Sequence, residues 1–131
     1  GRPQLVDRSP NVEARLAQLD YMRRLWFEIC SLPLQQRRAL LLNLNATLGG
    51  DLAVFAYLGV ANVRQIGEIL EMDPVVFAEL WKELPLTDAR IAQEFAMTTQ
   101  AVSNRRSSAR ERVARRMRAF ERENQKNMRR G

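Results

Sequence analysis

The sequence predicts an all-α protein, a compact multi-helix bundle, and three observations carry that expectation. Apolar residues recur at helical spacing, as in Ile91, Ala92 and Phe95, or Val102, Ala109, Val113, Met117 and Phe120. Helix-start residues stand ahead of these runs at Asn62, Asp73-Pro74, Thr87 and Thr98. Pro33, the pair Gly49-Gly50 and Pro85 punctuate the chain where helices should begin or stop. A length of 131 residues suits one domain, and 46% hydrophobic residues suffice for a core.

Residues 1–10 lack periodicity and contain Ser9-Pro10, which reads as a linker. Asn11 is the expected N-cap of a helix reaching about Ile29, with Leu16, Leu19, Met22, Trp26 and Ile29 on its apolar face. Cys30 reads as a small buried residue. Pro33 suits the first turn of a second helix carrying Leu34 and Ala39 to Leu42. Asn43, Asn45 and Gly49-Gly50 should end it. Asp51 to Gly59 is short and apolar. Its spacing fits a helix or a buried strand, and its helical neighbours favour a short helix.

Asn62-Val63-Arg64-Gln65 has the form of a capping box and opens a helix through Ile66, Ile69 and Leu70. Asp73-Pro74 opens another, which must stop near Leu84 because Pro85 follows. Thr87 then caps a helix carrying Ile91, Ala92 and Phe95, with Asp88 in its first turn. The chain turns near Ala96 and Met97, and Thr98 caps a last helix with a basic body. Two short helices joined by a tight turn, the second with polar N-terminal residues, form the pattern of a helix-turn-helix.

An internal repeat runs beneath this order. Ile66, Gly67, Leu70, Met72, Asp73 and Phe77 match Ile91, Ala92, Phe95, Met97, Thr98 and Val102, each 25 residues later. The earlier unit therefore reads as a second helix-turn-helix-like pair. Its second helix carries Glu79 and Glu83 against Lys82, a poor phosphate ligand. Its wide apolar surface at Phe77, Leu80 and Trp81 fits either the core or a protein-interaction face.

Charge is unevenly spread. The net charge is +6, but residues 100–131 hold eleven basic and three acidic side chains and so carry +8. A basic end on a slightly acidic body points to a polyanion at that end. Without histidine, and with Cys30 the only cysteine, the chain has no zinc-ligand set, no Ser-His triad and no intrachain disulfide. No glycine-rich nucleotide loop occurs, and no carboxylate pair is identifiable. A binding protein, not an enzyme, with no cofactor and no metal, is the expectation. No run is apolar enough to span a membrane, so a cytoplasmic regulator fits.

The run Arg90 to Arg105, closing with Ala109-Arg110-Glu111-Arg112-Val113, resembles region 4 of bacterial RNA polymerase sigma factors, especially the extracytoplasmic-function class. Upstream, Leu32-Pro33-Leu34-Gln35-Gln36-Arg37-Arg38 through Leu42 resembles the helix that opens the same region. The resemblance implies a single all-α domain over residues 11–120, with an insertion at 45–85 and the helix-turn-helix at 87–118. Residues 121–131 would be a basic flexible tail. It also implies promoter DNA in the major groove and association with RNA polymerase. Thr98, Thr99, Gln100, Ser103, Asn104, Arg105 and Arg106 would meet bases and phosphates, and Arg110 and Arg112 the backbone. The chain departs from the family at three points: the insertion, Arg106 where an apolar residue is usual, and Ser103 and Ser108 where basic residues are usual. The promoter-melting region is absent. The alternative is a protein-interaction adaptor that binds polymerase, an anti-sigma factor or a second copy of itself, with DNA contact weak or lost.

Overall fold

The computed structural model describes residues 4–44 and 52–130, with side chains over 11–44 and 52–127. These residues form seven helices and no strand: α1 (Gln4–Cys30), α2 (Leu34–Leu41), α3 (Ala53–Tyr57), α4 (Val63–Ile69), α5 (Pro74–Trp81), α6 (Asp88–Glu94) and α7 (Thr99–Arg130). The all-α bundle expected from the sequence is what forms. Asn45 and Gly49-Gly50 lie outside the described residues.

Most helix starts follow from local side-chain chemistry. The Asn62 side chain accepts from the Gln65 amide at 2.8 Å while Gln65 Oε1 accepts from the Asn62 amide at 2.9 Å, a complete capping box. Asp73 accepts from Val75 and Val76, with Pro74 at the first helical position. Thr87 accepts from the Arg90 amide, and Thr98 from the Ala101 amide at 3.0 Å. Within the stretch read as a short helix, Ala53–Tyr57 forms one, α3, with Phe55 fully buried, and Asp51 lies outside the described residues.

Both ends of the chain differ from the sequence reading. α1 is already helical at Gln4, so Asn11 is an interior residue and not a cap. The helix runs through Pro10, which lacks a backbone donor and whose ring crowds the carbonyl four residues earlier. Residues 11–18 are exposed, Leu16 among them at 59%. Among the described side chains α1 enters the core through Met22, Leu25 and Ile29, and none covers Leu16. At the other end α7 continues to Arg130, past the expected flexible tail. The segment 121–130 contains neither glycine nor proline, and its Glu, Gln, Lys and Arg residues favour a helix.

The core gathers around α2. Ala39, Leu40, Leu41 and Leu42 are buried, and α2 packs on both α6 and α7. Its C-terminal end is stitched to the connection between α5 and α6. The Leu86 amide donates to the Leu42 carbonyl at 2.7 Å, and Asn43 Nδ2 donates to the Leu86 carbonyl at 2.6 Å.

The internal repeat is present in the backbone. α4 and α6 begin and end 25 residues apart, as do the starts of α5 and α7. Each first helix closes in the same way. The Leu70 amide donates to Ile66 and the Met72 amide to Gly67; the Phe95 amide donates to Ile91 and the Met97 amide to Ala92. Each turn carries one left-handed residue at the matching place, Glu71 (φ 52) and Ala96 (φ 55). One sequence pattern has therefore specified two copies of the same helix-turn-helix path.

Arg38 of α2 joins the two copies. Its Nε donates to the Leu70 carbonyl at 2.8 Å and its Nη2 to the Glu71 carbonyl at 3.0 Å, capping α4. Its guanidinium lies 4.3 Å from the centroid of the Phe95 ring, and Phe95 occupies the place in the second copy that Leu70 holds in the first. Partial burial lowers its pKa, opposed by the Glu71 carboxylate; an arginine so placed stays charged.

Candidate nucleic-acid interface

The second copy, α6 and α7, carries most of the residues singled out from sequence. The capped start of α7 leaves Thr98, Thr99, Gln100 and Asn104 exposed and Ser103 half-buried. Val102, Ala109, Val113 and Met117 are buried on the opposite side and fix which face remains open. Gln100 Nε2 donates to Asn104 Oδ1 at 3.0 Å. The two amides thus orient one another and leave the Asn104 amide nitrogen as a free donor group and Gln100 Oε1 as a free acceptor.

The arginines of α7 with described side chains divide into two groups. Arg105, Arg110, Arg112, Arg115, Arg118 and Arg122 are exposed and form no ion pair with the described residues. At 100° per residue they surround the open faces of a helix about 48 Å long. Two others are engaged internally. Arg116 Nε lies 3.1 Å from Glu28, whose side chain is only 3% exposed and also accepts from Arg24 Nε at 2.8 Å. Arg24 in turn stacks over Phe120 at 5.1 Å, so this cluster fastens α1 to α7. Sequence reading missed Glu28; the (i, i+4) pair with Arg24 was the available signal.

Arg106, named among the DNA-contact candidates, is the second engaged arginine and is paired within the chain. Its Nη1 and Nη2 grip both oxygens of Asp88, the latter at 2.7 Å, and its side chain is 13% exposed. It points into the seam between α6 and α7 because it lies on the buried stripe of α7, one turn beyond Val102. The hydrogen bonds from Arg106 hold the Asp88 carboxyl below its usual pKa, with burial opposing them and the nearby Arg106 and Arg110 charges adding to them.

Of the two readings open for Phe77, Leu80 and Trp81, core or protein-interaction face, burial favours the core. Phe77 is 3% exposed and Leu80 2%, both within the core, and Trp81 is half-buried with its ring 5.7 Å from that of Phe77. Gly67 makes this packing possible: a Cβ there would lie 2.9 Å from Phe77 Cδ2. The wide apolar surface of α5 divides into a buried side and an exposed one. Val75 is 73% exposed, and Val63 and Val76 are also open. A groove of about 340 Å³ runs between α4 and α5, walled by Val63, Met72, Pro74 and Ala78 with Phe77 at its floor. Glu79 pairs with Lys82 at 3.7 Å and Glu83 with Arg90 at 2.6 Å.

No family model, curated protein or solved structure matches this chain. Among the described residues no helix is long and apolar enough to cross a membrane. Cys30 is half-buried, and burial raises its thiol pKa, with Arg37 opposing.

Proposed function

We propose that the chain binds duplex DNA through α6 and α7, as a sigma region 4-like promoter reader that associates with RNA polymerase. The observation that carries this reading is the composition of the open face of α7. Exposed hydrogen-bonding side chains occupy its capped first turns, and unpaired arginines follow along the same helix. Thr99, Gln100 and Asn104 lie at the end of a helix that can enter the major groove, and an oriented amide pair suits the donor and acceptor of an adenine edge. Arg105, Arg110 and Arg112 would rest on phosphates and set register without reading sequence.

Titration with promoter-length duplexes at 50 and 200 mM salt tests the reading. Neutralising about six phosphates makes affinity fall by roughly 10³-fold between those concentrations. A flat response, or no binding at the lower salt, refutes it.

A second reading has its own support. Exposed Val63, Val75 and Val76 on the first copy suit a protein partner, which favours an adaptor that holds polymerase, an anti-sigma factor or a second copy. The adaptor reading expects association with protein and a weak, sequence-indifferent response to DNA.

A further inference from the structure

We propose that Asp88 and Arg106 are positioning residues for sequence reading: the ion pair sets the rotation of α7 so that Gln100 and Asn104 meet base edges. The proposal rests on the DNA-binding reading above. Arg106 spends its hydrogen bonds on Asp88. It lies about 200° around the helix from Asn104, on the far side of α7. Its effect on reading therefore passes through the seam with α6.

The duplicated unit supplies an internal comparison. Asp88 and Arg106 occupy the places that Val63 and Trp81 hold in the first copy. The first copy is apolar at both positions, whereas the second carries a forked ion pair at both. The exchange is paired, since each charged residue is matched by the other, and it occurs in the copy whose open face is polar.

Apolar contacts resist separation but are only weakly directional. A planar guanidinium gripping both carboxylate oxygens fixes distance and rotation together. Rotation matters for reading. Side-chain heads ride roughly 5–6 Å from the helix axis, so a roll of about 10° moves them by about 1 Å. That exceeds the tolerance of roughly 0.5 Å for a preorganised binding group.

The test uses the full chain, a duplex selected by that chain from a random pool, and a scrambled duplex of equal length. Affinities are measured across salt for the unaltered chain, Arg106→Lys and Arg106→Leu. Circular dichroism establishes that each variant is folded. Arg106→Lys keeps the charge but loses the fork, so the selected-to-scrambled affinity ratio should fall about tenfold, a fraction of the discrimination that base contacts supply. The salt slope should stay unchanged in both variants. A slope reduced by about 0.9 in Arg106→Leu overturns the proposal, because Arg106 would then be a phosphate ligand that leaves Asp88 on binding. An unchanged affinity ratio in both variants also overturns it, while leaving the DNA reading intact. If the unaltered chain binds no duplex, the DNA reading and the proposal fall together.

Discussion

Arg38→Ala is expected to loosen both helix-turn-helix copies at once. The substitution removes two charge-assisted hydrogen bonds, to the carbonyls of Leu70 and Glu71, and the stacking on Phe95. The Leu70 carbonyl lies in the more buried setting, and a charged donor to such a group contributes about 1.5–3 kcal/mol. The bond to Glu71 is exposed, and water replaces most of it. The contact with Phe95 adds about 0.5–1 kcal/mol. The sum is roughly 2–4 kcal/mol, which for a chain of this size lowers Tm by on the order of 10 °C. Arg38→Lys should recover only part of the loss, because a lysine keeps the charge but lacks the planar fork that meets two carbonyls and an aromatic face together. Urea denaturation of the three proteins, followed by circular dichroism, measures the differences. A loss below about 0.5 kcal/mol for Arg38→Ala would refute the assignment of Arg38 as the common clamp. Full recovery by lysine would show that charge alone, without geometry, is what the site requires.

Three further outcomes follow from named geometry. Ala96→Gly should stabilise the fold by about 1 kcal/mol, since Ala96 is exposed and held at φ 55, where a Cβ is strained; a destabilised variant in the same urea titration would contradict the turn described here. Asp88 has a folded-state pKa below its unfolded value, so its contribution is present above the usual carboxylate pKa of about 4 and is lost as pH falls through the depressed value. Comparing stability against pH with Asp88→Asn should therefore show a gap that narrows on acidification, and a gap independent of pH would count against the ion pair as its source. Gln100→Ala and Asn104→Ala should alter which base is preferred, whereas Arg112→Ala should weaken all sequences alike and reduce the salt slope by about 0.9; equal loss on every sequence for all three would place α7 differently on the duplex.

Local chemistry was legible from the residues alone. Asn62, Asp73, Thr87 and Thr98 cap helices in the structure because capping needs only a side-chain oxygen within three residues of its donor. The repeat was legible for the same reason: its elements are short, and its turn pattern is written at fixed spacing. The buried stripe of α7 followed from periodicity, and with it the exposure of Gln100 and Asn104.

Tertiary structure decided which arginines are free and which apolar residues are covered. Arg105 and Arg106 are neighbours of one chemical type, yet one is exposed and the other is locked to Asp88, 18 positions away. Arg116 stays largely exposed but is tied to Glu28, a buried carboxylate on a helix distant in sequence. Phe77 and Val75 both read as apolar surface of α5, but Gly67 admits the Phe77 ring and nothing described covers Val75. Leu16 fits the helical period and is exposed because nothing described covers it. In each case period and residue type set the choices within one helix, and a partner brought in from elsewhere in the chain selected among them. The balance between desolvation and pairing for a charge, or between burial and exposure for an apolar group, depends on that partner's position, which no local sequence window contains.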